Sequence, residues 1–289
     1  MDKRSTALQA AGLSDQGLRG DSNQDAFFVD TERGLFLVAD GMGGHRAGTA
    51  AALAVAKGFP LLLDRHLGAT PGRIAVPLRN AILELNASVR AEGQRNERTR
   101  GMGSTLTCLF VHGRMAHIAN LGDSRVYRWR NGLQCLTQDH SLTALLLREG
   151  EISRRMAAFH PGRSQLTRFI GMEQDSYPDI SSVRLKIGDR FLLCTDGLWG
   201  VVPDKQIRAF LGKNAPPESI CRDLIEAAKA RGSNDNITAV VVFFGMRASS
   251  APPKDDGKTV SEGRTRKRLH QPQDESMIAA HEIPGFSPQ

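Results

Sequence analysis

The chain has 289 residues, of which 40% are hydrophobic and 24% charged, with a formal net charge of +7. That length allows one large domain or two small ones with a sizeable core. No run of about 18 apolar residues occurs, which excludes an expected membrane span, and Cys108, Cys135, Cys194 and Cys221 form no CxxC pair for zinc or redox chemistry. The positive balance favours anionic partners, either phosphate-bearing substrates or nucleic acid.

In chain order, Met1-Asp2-Lys3-Arg4-Ser5 is followed by no apolar stretch, so no signal peptide is expected. Short apolar runs bounded by glycine and aspartate predict strands over 34–39, 105–111, 116–120, 125–129, 190–195 and 237–244. Apolar residues at spacings of three and four predict helices over 47–63 and 74–94, with a further one at 217–230. His112-Gly113-Arg114 reads as a turn and Asn131-Gly132 as a two-residue hairpin. Three of the cysteines sit in apolar runs and read as small core residues, in keeping with a reducing, cytoplasmic setting.

One domain is expected over 6–246, followed by a disordered tail over 247–289. The tail carries seven Lys/Arg against six Asp/Glu and few large apolar residues, too little apolar surface to offset ordering entropy. Its basic cluster Arg264-Thr265-Arg266-Lys267-Arg268 reads as part of that solvated segment. Consecutive strands joined by tight turns, with helices in pairs, predict an α+β layered fold and not a doubly wound parallel sheet.

Two strands end alike. The run Leu35 to Ala39 leads into Asp40-Gly41, and Phe191 to Thr195 leads into Asp196-Gly197. Each delivers a carboxylate followed by a glycine, which allows a sharp turn and brings a carbonyl close to whatever the carboxylate holds. Asp25, Asp123 and Asp235 occupy similar settings, so five aspartates are expected at strand ends. If they converge, their charges repel and require cations. Oxygen ligands suit hard divalent ions, and no His/Cys set favours zinc. Two Mg²⁺ or Mn²⁺ ions roughly 4 Å apart can lower the pKa of a bridging water and clamp phosphate oxygens for in-line attack. The loop Met42-Gly43-Gly44-His45 offers amides to an anion. His45 reads either as the acid for the leaving alkoxide or as a hydrogen-bonding partner outside the ligand set.

The ordered set Asn23-Gln24-Asp25, Asp40-Gly41-Met42-Gly43-Gly44-His45, Gly103-Ser104-Thr105-Leu106, Gly122-Asp123-Ser124-Arg125, Thr137-Gln138-Asp139-His140-Ser141, Leu166-Thr167-Arg168-Phe169-Ile170-Gly171, Cys194-Thr195-Asp196-Gly197 and Asp235-Asn236-Ile237-Thr238 resembles the bacterial form of the type 2C metal-dependent protein Ser/Thr phosphatases, the PPM family. The resemblance runs from about residue 10 to 244. It implies a four-layer α-β-β-α sandwich with two central antiparallel sheets flanked by helix pairs. It implies hydrolysis of phosphoserine and phosphothreonine by a metal-bridging water. Asp40 would bridge two Mn²⁺ or Mg²⁺ ions, Gly41 would lend its carbonyl to one, and Asp196 and Asp235 would bind the other. Asp25 would act through water, and Asp123 would serve a third ion shared with Asp196. Residues 141–165 look like the flap beside the active site, where the alternative is an ordinary amphipathic surface helix. The arginine that usually grips substrate phosphate is replaced by Gly20, and Arg19 stands one residue earlier, on the opposite face of an extended strand unless a bulge corrects it.

The implied partners are phosphorylated proteins and a Ser/Thr kinase, with no nucleic acid or membrane and a monomeric chain. Two rival readings are a catalytically weak phosphoprotein-binding or regulatory module, favoured by Gly20, and a metal-dependent nuclease. The nuclease would need a basic groove bearing aromatic residues, and the chain has two Trp and two Tyr without such a cluster.

Overall fold

The computed structural model describes residues 7–18, 22–69, 73–173 and 176–245, apart from the side chains of His45 and Ala158. The expected tail and its basic cluster lie outside the described residues. The apolar runs become strands buried on both faces, because each sheet is covered twice. The chain begins with strands β1 (Leu8–Asp15), β2 (Asp25–Asp30) and β3 (Leu35–Met42), then helices α1 (His45–Ala69) and α2 (Ala75–Arg95). A meander follows through β4 (Gly103–Ser104), β5 (Leu106–His112), β6 (Met115–Leu121), β7 (Arg125–Trp129) and β8 (Leu133–Cys135). Two short helices, α3 (Leu142–Glu149) and α4 (Arg154–Ala158), lead to β9 (Asp179–Arg184) and β10 (Arg190–Cys194). Helices α5 (Asp196–Trp199), α6 (Asp204–Leu211) and α7 (Pro217–Ala230) precede β11 (Ile237–Phe244).

One sheet has the order β1-β11-β10-β7-β8, and the other runs β2-β3-β5-β6-β9 with β4 on β3; all pairings are antiparallel. Three apolar clusters fill the three gaps between four layers. Leu35, Leu37 and Ala39 face α1 and α2, whereas Phe36 and Val38 face the other sheet. Ile237, Ala239, Val241 and Phe243 face α6 and α7, whereas Val240, Val242 and Phe244 face inward. This alternation is the period of two of a strand. It explains why runs such as Ile237–Phe244, all buried, carry no polar side on either face. The α-β-β-α sandwich expected from the sequence is thus the observed fold.

Several local expectations change. The β7–β8 connection has three residues, not two, because Trp129 pairs with Leu133; Asn131 takes the left-handed conformation there with φ 57°. Strands β1, β2, β4 and β9 and helices α5 and α6 lie outside the elements predicted from the sequence. Edge strand β9 alternates weakly, with exposed Ser181 and Ser182, so it lacks the apolar signature of a strand. By length and composition α1 passes as a membrane span over Arg46–Ala69, although no unbroken apolar run exists, and most of its apolar stretch is buried in the fold. Cys108, Cys194 and Cys221 are buried, and Cys135 is exposed.

Candidate metal centre

The β2–β3 register sets Asp25 directly opposite Asp40. Like charges facing each other across neighbouring strands destabilise a sheet. Asp40 lies within β3, not at its end, because the strand continues through Gly41 and Met42 to pair with Ser104 and Gly103. Asp123 sits in the β6–β7 turn, Asp196 opens α5 immediately after β10, and Asp235 precedes β11. Asp25 ties the two sheets together at this end. Its Oδ2 accepts from the Thr195 hydroxyl at 2.8 Å and the Thr238 hydroxyl at 2.7 Å. Thr238 in turn donates its amide to Thr195 Oγ1 at 3.0 Å. The Gln24 amide donates to Asn236 Oδ1 at 2.8 Å, so the residue before Asp25 is held by the loop that carries Asp235.

Neither Asp-Gly pair makes the sharp turn that its sequence suggests. Gly41 continues a strand and Gly197 lies in α5, and neither has a positive φ. Each is required by close approach. A Cβ on Gly41 would collide with the Gly48 carbonyl oxygen, and one on Gly197 with the Asn236 carbonyl oxygen. The turning falls to Gly43 and Gly44, at φ 111° and 90°. Gly41→Ala is therefore expected to push α1 off β3, costing about 1–3 kcal/mol as overpacking does. It should also weaken Mn²⁺ binding at least tenfold by calorimetry. An unchanged Mn²⁺ affinity would show that this packing does not shape the centre.

The five carboxyls share one electrostatic environment. Burial pushes the Asp40 carboxyl well above its usual range, and the charges of Asp25, Asp196, Asp123 and Asp235 raise it further. Burial lifts Asp25 to about 7 against the opposing hydrogen bonds of Thr238 and Thr195. Asp123 rises to about 8 through burial, then the charges of Asp196 and Asp139, with Arg125 opposing. Asp196 rises to about 6 through burial and Asp235, with the Gly197 amide and the Asp40 carboxyl opposing. Among the described residues no three His, Cys, Asp or Glu side chains close into a ready-made cage for one ion. Mg²⁺ and Mn²⁺ do not need one, since they retain waters and accept carbonyl oxygens. Asp196 Oδ1 is the decisive atom: buried and without a hydrogen-bond partner. A buried unpaired carboxylate oxygen amid four other carboxyls costs free energy that a divalent cation removes. The residues present fit such ions.

The supports around the carboxylates had no role in the sequence reading. Arg125 donates to both oxygens of Asp139, at 2.9 and 2.7 Å, and stacks on Trp199 at 3.5 Å, joining the Asp123 turn to α5. Burial lowers the Arg125 pKa, but Asp139 outweighs it and the net shift is upward. His140 is buried; its Nδ1 accepts from the Gly122 amide at 3.1 Å and its Nε2 faces Asp179 Oδ2 at 3.1 Å. Both stand inside the quoted motifs, where a carboxylate beside a threonine, arginine or histidine was the available signal. Of the other expected site residues, Arg19 and Gly20 lie outside the described residues, as does the side chain of His45, whose backbone opens α1. The expected flap is two short helices, α3 capped by Ser141 and α4 by Ser153. Its base is stitched to the centre, with the His140 amide donating to the Gly122 carbonyl at 2.9 Å and Thr167 to His140 at 2.8 Å.

A four-layer α-β-β-α sandwich whose sheet ends gather aspartates fitted to hard divalent ions defines a metal-dependent protein. The chain belongs to the Protein phosphatase 2C family, which residues 17–240 match. It is 35% identical over 243 residues to the serine/threonine protein phosphatase PstP of Mycobacterium tuberculosis, covering 83% of this chain but only 46% of PstP. The chain thus spans about half the length of that relative. It is 35% identical over 240 residues to the serine/threonine phosphatase stp of Listeria monocytogenes, covering 81% of this chain and 95% of that one. The crystal structure of the PstP catalytic domain in complex with two manganese ions superposes with a TM-score of 0.73 at 30% identity, over 83% of this chain and 99% of that one.

Proposed function

We propose that this chain is a metal-dependent protein serine/threonine phosphatase that hydrolyses phosphoserine and phosphothreonine in proteins. The observation that carries the reading is the buried, unpartnered Asp196 Oδ1 among four other carboxyls, in a chain of the Protein phosphatase 2C family. Asp40, the Gly41 carbonyl, Asp196 and Asp235 would hold two ions. Asp25, held by two threonine hydroxyls, would act from outside the ligand set, and Asp123 with Asp196 would serve a third ion. Mn²⁺ is the expected metal and Mg²⁺ its alternative. Bound there, the ions supply a Lewis acid that activates water and neutralises phosphate oxygens.

The chain's own residues do the rest. Thr195 and Thr238 fix the Asp25 carboxyl, the Arg125–Asp139 pair fixes the turn carrying Asp123, and Gly43 and Gly44 turn the chain with positive φ, a backbone able to present amides to an anion. Residues 6–246 form the catalytic unit. Its substrates are phosphoproteins made by a Ser/Thr kinase, and the chain acts as a monomer in the cytoplasm.

The test is phosphate release from a phosphothreonine peptide. Release is expected with Mn²⁺, is lost in EDTA, and returns when Mn²⁺ is restored. A folded, Mn²⁺-binding chain that releases nothing would move the reading to a phosphoprotein-binding module.

A further inference from the structure

The β5–β6 hairpin brings a second group of metal-ligating side chains together, away from the carboxylates. Its tip is the two-residue turn Gly113-Arg114, with Gly113 at φ 60°, and the turn closes on the pair His112 and Met115. Two residues further in, Phe110 pairs with His117. Directly opposed residues of an antiparallel pair share a face, with side chains about 5 Å apart and diagonal neighbours about 7–8 Å apart. His112, Met115 and His117 therefore occupy three corners of one cross-strand square, with Phe110 at the fourth. The ring contacts agree, since the Phe110 centroid is 6.1 Å from that of His112 and 6.5 Å from that of His117. Phe110 is buried in the core under α1 and α2, whereas His112 is exposed and Met115 and His117 are half-buried. The hairpin tip lies at the end of β6 away from Leu121 and the Asp123 turn.

The three side chains suit a soft metal. His117 Nδ1 lies 2.8 Å from the Ser182 hydroxyl on β9. With Nδ1 as the donor, the ring is fixed and Nε2 keeps its lone pair for a metal. Burial, and then the charge of His112, push His117 below the usual histidine value, so its ring is neutral at pH 7. Met115 adds a thioether, a ligand poorly matched to hard Mg²⁺ and Mn²⁺ and well matched to Cu⁺. The surrounding charge selects in the same direction. On this face β5, β6 and β9 carry Arg184, opposite Met115, and no carboxylate. A singly charged ion held by three uncharged ligands meets less repulsion there than a divalent one.

We propose that His112, Met115 and His117 form a Cu⁺ site, separate from the carboxylate centre, with two imidazole nitrogens and one thioether sulfur as its ligands. The site stands whether or not the chain is a phosphatase.

The experiment is an anaerobic titration of the full chain with Cu⁺ at pH 7, in competition with the chromophoric chelator ferrozine. Every sample carries Cys135→Ser, because the exposed Cys135 thiol is itself a Cu⁺ ligand. The chain is expected to withdraw one equivalent of Cu⁺ from the chelator. Met115→Leu, which nearly keeps the side-chain volume, and the pair His112→Gln with His117→Gln should each weaken that equivalent at least about tenfold. Mn²⁺-dependent turnover of p-nitrophenyl phosphate should stay within about twofold in both variants, because distant sites act independently. Met115→Leu decides the case alone if the paired substitution unfolds the hairpin. Failure to withdraw Cu⁺ would overturn the proposal, as would an affinity unchanged by either variant. Zn²⁺ held as tightly as Cu⁺, and unaffected by Met115→Leu, would also overturn it by removing the thioether from the ligand set.

Discussion

Asp196→Asn is expected to lower Mn²⁺-dependent phosphate release at least about a thousandfold, roughly 4 kcal/mol of transition-state stabilisation. The substitution keeps the volume of the side chain and removes a charge that Asp235 repels and whose Oδ1 has no hydrogen-bond partner. The same substitution should raise the melting temperature of the protein in EDTA by a few degrees, because one of the mutually repelling charges is gone. Opposite signs in activity and in metal-free stability separate a metal-ligand role from general damage, which would lower both. Activity within tenfold of wild type would remove Asp196 from the centre.

Metal-free protein is expected to lose stability as pH rises from about 6 to about 8.5, by on the order of a few kcal/mol or roughly 5–10 °C in Tm. Asp25 at about 7 and Asp123 at about 8 hold their protons far above the value near 4 of an unfolded aspartate. Folded chain therefore binds more protons than unfolded chain across this window. The stabilisation is complete below the unfolded value and drains away as pH rises through the folded ones. Mn²⁺ should abolish or reverse the slope, because the carboxyls must ionise to bind it. Of the groups with downward shifts, Asp179 and Glu84 act below this window, and His140 and His117 oppose the trend only at its lower edge, near the ordinary histidine value of about 6.5. A melting temperature in EDTA that is flat or rising over this range would refute the shared burial of these carboxyls.

Much of this was legible before any coordinates. Strands buried on both faces announce themselves as unbroken apolar runs, so β3, β5, β10 and β11 were visible, and the hairpin at Asn131-Gly132 was visible as turn chemistry. The five aspartates stood out because a carboxylate after an apolar strand has few structural reasons to be there, and their order with the glycines carried the family. Strands β1 and β9 were not visible, because half-buried or edge strands lack a strong period.

Local patterning and motif order suffice for the layered class, the family and the list of acidic residues. Which of those residues meet depends on contacts between distant parts of the chain. Asp25 faces Asp40 because of the β2–β3 register. Asp25 is bound to the other sheet by threonines 170 and 213 positions away, a link that no local pattern encodes. The two Asp-Gly pairs read as turns and proved to be points of close packing against Gly48 and Asn236, because what a missing Cβ makes room for is set by distant chain. The raised pKa values belong to the same level, because they arise from burial and from charges gathered out of both sheets.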